Sequence, residues 1–200
     1  MQQAAFLILH GLENHRPPAH WQFWLAAALA ADGHVVRYPS LPDADAPRYD
    51  AWAATLEREL TGLRDDAGGG ERIVIGHSLA CLLWLRAAPL LPTDLRPDRV
   101  LLVSPPDSGV LPESAATFRL DPSALDPAAI AAASGDLRIA CSDRDAYNPG
   151  GADAMYAARL GVDADVIPGG GHITPDEGYG PWPSVLAWST DGALRVGAHA

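Results

Sequence analysis

The sequence predicts an α/β fold in which about six mostly parallel strands form one sheet with helices on both faces. Short apolar runs alternate with helical stretches along the whole chain, which is typical of strands joined by right-handed helical crossovers. Several runs are apolar throughout, as expected for strands buried on both faces. A length of 200 residues suits a single domain. We therefore expect one domain over residues 1–190 and a loosely ordered C-terminal tail over residues 191–200.

The first half of the chain supplies two strands and two helices before the central motif. Residues 4–9 form a continuous apolar run and predict a central strand. Residues 20–31 are alanine-rich and stop before Gly33, which suits a helix C-terminus. Residues 34–38 predict the second strand. Residues 47–63 place apolar side chains at helical spacing and predict the second helix.

The second half repeats this alternation. Four more runs are rich in aliphatic residues and predict strands, namely residues 72–77, 99–104, 137–142 and 164–167. Helices are predicted at residues 79–86, 152–160 and 183–188. The alternation therefore continues to the end of the predicted domain.

The connection between the fourth and fifth strands, residues 105–136, is short. Asp126-Pro127 is typical of a helix start, with an N-cap followed by proline at the first helical position, and Asp121-Pro122 has the same pattern. Residues 128–133 then predict the helix that crosses from one strand to the next. Few residues remain to cover a site at the strand ends, so we expect no large lid and an open, shallow pocket.

Composition excludes several classes of function. The chain has 25 acidic and 14 basic residues, a net charge of −11, which disfavours nucleic acid and anionic membrane surfaces as partners. No apolar run approaches the roughly 18 residues of a membrane span. The start, Met1-Gln2-Gln3, lacks the basic residues of a secretory signal, so a cytoplasmic location is expected. Cys81 and Cys141 are predicted to be buried apolar residues.

The chain is organised around residues 72–86, where a strand passes through a sharp turn directly into a helix. Gly76-His77-Ser78-Leu79-Ala80 fits a variant of the nucleophile elbow, with alanine in place of the second glycine. Such a turn exposes the serine hydroxyl at the positive N-terminus of the helix. Small residues flank the serine because larger side chains would collide where the helix packs back on the strand. A serine that merely caps the helix is the structural alternative.

Three chemically suitable residues follow strands of the predicted sheet. Ser78 follows the third strand, Asp143 and Asp145 follow the fifth, and His172 follows the sixth. The carboxyl ends of parallel strands gather on one edge, and the order serine, acid, histidine is that of α/β-hydrolases. An imidazole can take the proton of the serine, and a buried carboxylate can orient the imidazole. Each residue alone has a structural explanation, but together they indicate a triad.

An oxyanion hole requires two backbone N–H groups that point at developing negative charge. The residue after the nucleophile, Leu79, supplies one by this logic, and Leu12 in the loop after the first strand supplies the other. His77 is expected to be a structural neighbour of the serine. His15 and His20 lack the paired spacing of metal ligands, so neither a metal site nor a cofactor is predicted.

The sequence resembles the small serine hydrolases related to retinoblastoma-binding protein and to bacterial YdeN-type proteins. The resemblance covers nearly the whole chain and depends on four motifs. They are His10-Gly11 with His20-Trp21, then Gly76-His77-Ser78-Leu79-Ala80, then Ser142-Asp143-Arg144-Asp145-Ala146-Tyr147, and finally Gly171-His172-Ile173 with Gly178-Tyr179-Gly180-Pro181-Trp182-Pro183.

This resemblance implies a compact α/β-hydrolase without a large lid, and it places the acid of the triad on Asp145. Ala146 stands where the family often has proline, so Asp143 remains the alternative acid. We expect the pocket to be edged by Leu12, Pro105 and Trp182, with His10 and Gly11 beside them. A role in packing is the stronger alternative for Trp182, since aromatic residues dominate cores.

Two functions remain open from the sequence. The first is a serine hydrolase that cleaves a small ester, thioester or amide, or a short peptide, through an acyl-enzyme on Ser78, His172 and Asp145. The second is a hydrolase-like module that binds a protein partner and catalyses little. An intact triad favours the enzyme, since a scaffold has no need of all three residues.

Overall fold

A computed structural model describes residues 3–199, so Met1, Gln2 and Ala200 lie outside the described residues. Six strands form one sheet in the order β2-β1-β3-β4-β5-β6, and every neighbouring pair is parallel. The strands are β1 (Ala5–Leu9), β2 (Val35–Arg37), β3 (Arg72–His77), β4 (Arg99–Val103), β5 (Asp136–Ser142) and β6 (Asp163–Ile167). The predicted mostly parallel sheet is confirmed, with β1 in its interior.

Helices connect the strands, as the alternating pattern predicts. They are α1 (Trp21–Ala31), α2 (Tyr49–Asp66), α3 (Leu79–Ala87), α4 (Pro127–Ser134), α5 (Ala158–Leu160) and α6 (Pro183–Thr190). A π-helical segment, Asp153–Ala157, runs directly into α5. Within residues 3–199, the helices are all too short or too polar to cross a membrane.

The apolar side chains form one layer on each face of the sheet. In β1, Leu7 packs into the layer shared with α2, α3 and α4, whereas Phe6 and Ile8 pack into the layer shared with α1 and α6. Successive side chains of a strand point to opposite faces, so a strand covered on both sides must be apolar throughout. This explains why β1, β3 and β4 are continuous hydrophobic runs.

The connection from β4 to β5 contains α4 and three short 3₁₀ turns, Ser108–Val110, Glu113–Phe118 and Pro122–Ala124. Asp121 and Asp126 cap the last turn and α4 through their carboxylates, as the Asp-Pro pairs predict. The second turn, Glu113–Phe118, is anchored to α3, because the carbonyl of Thr117 accepts a hydrogen bond from Arg86. Within residues 3–199, the longest element of this connection is α4, with eight residues.

The C-terminal segment lies against β6 and α6. We expected loose order for residues 191–200, but the structure gives residues 191–199 specific contacts. Val196 is buried and its N–H donates to Asp165 of β6, while the carbonyl of Gly197 accepts from Trp182 Nε1 at 2.7 Å. The partners are distant in sequence, which is why the sequence alone gives no sign of these contacts.

Candidate active site

The predicted catalytic residues meet at the carboxyl edge of the sheet, between β1 and β3. From β1, the chain first adds β2 on one side of the sheet. It then returns to add β3, β4, β5 and β6 on the other side, so the direction of strand addition reverses between β1 and β3. Open α/β sheets bind their ligands at such a switch point. Gly11 and Leu12 follow β1, and Ser78 follows β3, so the two loops face each other across this crevice.

Ser78 lies between the last residue of β3 and the first residue of α3. Its φ of 54° and ψ of −120° are unusual for a residue with a side chain, and its N–H donates to the carbonyl of Val103 in β4. The serine side chain is partly exposed while the residues around it are buried. This is the geometry of a nucleophile elbow, in which strain is maintained by the strand and helix on either side.

The close approach that demands a glycine is at Gly11, in the loop opposite. A Cβ at position 11 would lie 2.7 Å from Ser78 Cβ and 3.2 Å from Ser78 Oγ, a collision. A Cβ at Gly76 would come no nearer than 3.6 Å to Ala80, which is ordinary contact. The steric argument for small residues at Gly76 and Ala80 therefore applies to side chains larger than alanine, whereas Gly11 must lack a side chain altogether.

A chain of hydrogen bonds joins Ser78, His172 and Asp145. His172 Nε2 is 2.8 Å from Ser78 Oγ, and His172 Nδ1 is 2.9 Å and 2.8 Å from the two carboxylate oxygens of Asp145. Asp145 and His172 are both buried. The carboxylate accepts a hydrogen bond from Nδ1–H. The lone pair of Nε2 is then free to accept a hydrogen bond from the serine hydroxyl.

Asp143, the alternative acid, faces elsewhere. Its carboxylate accepts a hydrogen bond from the N–H of Gly169 at 2.6 Å, at the start of the loop that carries His172. Asp145 also accepts from the N–H of Tyr147 at 2.8 Å, which fixes the carboxylate within its own loop. The structure thus places one aspartate against the imidazole and the other against the backbone of the histidine loop.

The backbone around His172 is held by residues from three other parts of the chain. His77 Nε2 donates to the carbonyl of His172 at 2.9 Å, and Trp21 Nε1 donates to the carbonyl of Ile173 at 3.0 Å. The carboxylate of Glu177 accepts from the N–H groups of His172 and Thr174. Burial by itself would raise the pKa of Glu177, but the hydrogen bonds from Thr174 and His172 hold that pKa below its usual value.

His77 is a neutral supporting residue. Burial lowers the pKa of its imidazole well below the usual value, and the nearby His20 and His172 rings act in the same direction. Because Nε2 donates to a carbonyl, the single proton of the neutral ring is on Nε2. The ring centroid lies 5.2 Å from that of His20 and 5.2 Å from that of His172. The prediction of a structural neighbour agrees with these contacts.

The two predicted oxyanion donors both line the pocket at Ser78. Among residues 3–199, neither the N–H of Leu12 nor that of Leu79 donates to a protein acceptor in the observed hydrogen bonds. Leu79 is the first residue of α3, where an N–H has no partner within the helix. His10 shapes the other loop, since its Nε2 accepts from the N–H of Leu41 at 2.8 Å and its Nδ1 donates to the carbonyl of Gly11.

The pocket at Ser78 has a volume of about 560 Å³. Three residues predicted for its wall lie outside it. His10 is buried behind the loop, Pro105 is buried beside Asn148, and Trp182 is a core residue whose ring lies edge-to-face against that of Trp21, with 5.2 Å between the ring centroids. Gly11 and Leu12 do line the pocket, together with Glu13, Asn14, Pro17, Ala19, His20, His77, Ser78, Leu79, Pro106, Leu111, Pro112, Tyr147, His172, Thr174, Pro175, Asp176 and Glu177.

The sequence did not indicate most of the lining residues, and three of them show why. Tyr147 is half exposed and its ring lies 4.4 Å from that of His172, but it follows Asp145 in a loop without a periodic pattern. Glu177 follows His172 by five residues in a capping box, a signal that indicates a helical turn and not a site. His20 precedes α1 and caps it, a structural role that gives no sign in the sequence that the residue also lines the pocket.

Comparisons with known proteins agree with this geometry. The serine hydrolase family matches residues 6–189. The ydeN gene product of B. subtilis superposes with a TM-score of 0.77 at 22% identity, covering 94% of this chain and 97% of that one. A YdeN-like hydrolase from Pectobacterium atrosepticum gives 0.69 at 20% identity, covering 93% and 88%. Est1E from Butyrivibrio proteoclasticus gives 0.66 at 14% identity, covering 96% and 85%.

No curated protein sequence matches the chain. At these identities the solved structures inform only about the fold, and they confirm the predicted α/β-hydrolase fold.

Proposed function

The chain belongs to the serine hydrolase family, and from this premise we propose that it cleaves small ester, thioester or amide substrates through an acyl-enzyme on Ser78. His172 is the general base and acid in this proposal, and Asp145 orients it. The observation that carries the proposal is the continuous hydrogen bonding from Ser78 Oγ through His172 to Asp145, at 2.8 Å on the serine side.

Each step uses an atom whose surroundings suit it. Ser78 Oγ attacks the carbonyl carbon while its proton passes to His172 Nε2, and the carboxylate of Asp145 stabilises the imidazolium that results. The N–H groups of Leu12 and Leu79 receive the developing oxyanion. His172 then protonates the oxygen, sulfur or nitrogen of the leaving group as the bond between that atom and the carbonyl carbon breaks. A water molecule, activated by the same imidazole, releases the acid and restores Ser78.

The lining of the pocket favours small neutral or cationic substrates. Glu13, Asp176 and Glu177 lie at its exposed rim, and the lining includes no arginine or lysine. Carboxylate groups near the reacting carbonyl would meet like charge at the entrance. Leu111 and Pro112 form one edge without covering Ser78, which suits short acyl chains that approach from solvent. Esters and thioesters need the least activation of the leaving group, so they are the best first substrates to test.

A fluorophosphonate probe tests the nucleophile directly, because it phosphonylates a serine only where a base and an oxyanion site activate it. We expect stoichiometric labelling of the wild type and none of Ser78→Ala. Ser104→Ala is the matched control, since Ser104 also follows a strand and has a φ of 50°, but it is fully buried. Labelling that survives in Ser78→Ala, or disappears equally in Ser104→Ala, would contradict the assignment.

A further inference from the structure

His20 lies at the wall of the pocket but takes no part in the proposed hydrogen-bond chain. Its side chain is the N-cap of α1, and the residue is only 3% exposed. The ring packs beside His77, which in turn packs beside His172. His20 nevertheless lines the same pocket as Ser78. The small exposed part of this imidazole therefore faces the space that a substrate would occupy.

The hydrogen bond of the cap fixes which nitrogen carries the proton. His20 Nδ1 accepts from the N–H of Gln22 at 3.2 Å, so the neutral ring has its proton on Nε2. Within residues 3–199, Nε2 has no hydrogen-bond partner. It is also not fully buried, so this nitrogen keeps some exposed surface. An N–H group in this situation is a donor directed at the pocket.

This donor stays neutral over the useful pH range. Burial, together with the smaller effects of His10 and His172, lowers the pKa of His20 to about 4. Two other polar side chains of the pocket are already engaged, since Asn14 donates to Gln22 and the hydroxyl of Thr174 bonds to Glu177. Rigid neutral donors of this kind discriminate well, because a substrate without an acceptor leaves the donor unpaired in a site from which most water is excluded.

We infer that His20 is a specificity-determining residue whose Nε2–H donates to a neutral oxygen acceptor near the reacting carbonyl of the substrate. The pocket then prefers substrates with an ether, keto or hydroxyl oxygen at that place over plain alkyl ones. Carboxylate oxygens are excluded by the acidic rim of Glu13, Asp176 and Glu177. This inference rests on the proposed hydrolase function and names the substrate class of the same site.

A purely structural role for His20 predicts a different result, and two variants separate the roles. In His20→Asn, the side-chain oxygen can replace Nδ1 as the cap of α1, but no group replaces Nε2. In His20→Gln, the amide nitrogen reaches the position of Nε2, but the cap is lost. His15→Asn is the control, because His15 is exposed, pairs with Asp45 and lies outside the pocket lining.

Two pairs of matched esters provide the readout. In the first pair, the p-nitrophenyl esters of butyrate and methoxyacetate, an ether oxygen replaces one CH₂ of the acyl chain. In the second pair, the butyl and 2-methoxyethyl esters of one acid, the same replacement is made in the alcohol. For each enzyme, the ratio of kcat/KM within a pair is measured. The intrinsic reactivity of the two esters cancels when this ratio is compared between wild type and variant.

We expect the ether-over-alkyl ratio of one pair to fall about three- to tenfold in His20→Asn, the size of one net hydrogen bond. The ratio should be retained in His20→Gln, despite a lower Tm, and in His15→Asn. Unchanged ratios in both pairs for a folded His20→Asn would overturn the inference while leaving the hydrolase proposal intact. Absence of turnover and of probe labelling in the wild type would overturn the hydrolase proposal itself.

If His20→Asn does not fold, long-range ¹H–¹⁵N NMR of the wild type still decides. The inference requires a neutral ring protonated on Nε2 at pH 7, whose Nε2–H resonance moves when methoxyacetone, an unreactive ether ketone, is added. Protonation on Nδ1, or no response of Nε2–H to methoxyacetone at saturating concentration, would contradict it.

Discussion

The loop that carries Ser78 and the loop that carries His172 are built in different ways. Ser78 is placed mainly by its immediate neighbours, since β3 ends at His77 and α3 begins at Leu79. One hydrogen bond also joins its N–H to Val103 of β4. His172 is placed by distant residues, because its backbone and that of Ile173 are bonded to His77 and Trp21. One position depends on a continuous stretch of sequence, and the other depends on the assembled fold.

This difference predicts how the two loops respond to substitution. Changes at Ser78 or at the opposing Gly11 remove or displace the proposed nucleophile directly and should abolish most activity. Changes around His172 remove one of several supports, so each should reduce activity only partly. Asp145 lies outside this contrast, because it contacts the imidazole itself.

The largest expected effect in the histidine region is at the acid. Asp145→Asn should lower kcat by about 10³- to 10⁴-fold, since an amide no longer holds the correct tautomer of His172. Asp143→Asn should change kcat less than about threefold, because the amide oxygen can still accept from Gly169. Steady-state kinetics with p-nitrophenyl acetate would measure both. The reverse ranking would move the acid to Asp143.

The next effect compares two glycines around Ser78. Gly11→Ala forces its Cβ to 2.7 Å from Ser78 Cβ, so the loop or the serine must move, and we expect kcat/KM to fall about 100-fold. Gly76→Ala meets only ordinary contacts at 3.6 Å and should retain activity within a few fold. Equal losses in the two variants, in samples with matched circular dichroism spectra, would contradict the account of the close approach.

These two loops also show how far the sequence could predict the structure. Ser78 and the strands were predictable because periodicity and the elbow motif are local. The residues alone left Asp143 and Asp145 open, and only the family resemblance favoured Asp145, because the choice depends on which carboxylate faces an imidazole 27 residues from Asp145 in the chain. The pocket wall was predicted poorly for the same reason. Trp182 lies near the motif in sequence, but its ring turns into the core against Trp21.

A smaller effect is expected at Trp21 and Trp182, whose rings are in edge-to-face contact. Trp21→Phe removes the donor to Ile173 and leaves a buried carbonyl unpaired, so kcat should fall about three- to tenfold together with Tm. Trp182→Phe removes the donor to Gly197 of the C-terminal segment instead. It should lower Tm by a similar amount with kcat changed less than about twofold. Equal losses of kcat would show that His172 is not supported as described.

The smallest effect is a dependence of stability on pH from the buried histidines His10, His20 and His77. Burial lowers the folded-state pKa of all three, to about 4 for His20, so the unfolded chain binds more protons than the folded protein below the unfolded histidine pKa of about 6.5. Their stabilising contribution is present above pH 6.5 and is lost as pH falls below it, for His20 down to about pH 4.

Between pH 6.5 and 5, the free energy of unfolding should fall by up to about 1.4 kcal/mol per pH unit from His20, and His10 and His77 should change it in the same direction. Urea unfolding at several pH values would measure this slope. His20→Asn should make it shallower, because one titrating group is removed and the cap is kept. A slope unchanged by that substitution would mean that His20 is not held neutral in the folded protein.

The most direct test of the central claim is to trap the acyl-enzyme. Rapid mixing with p-nitrophenyl acetate should give a burst of p-nitrophenolate close to one equivalent per chain. Acid quenching within the burst should show a mass increase of about 42 Da, one acetyl group, on the peptide that contains Ser78. An acetyl group on any other residue, or turnover without any covalent species under conditions where deacylation is slowed, would contradict the assignment of Ser78 as the nucleophile.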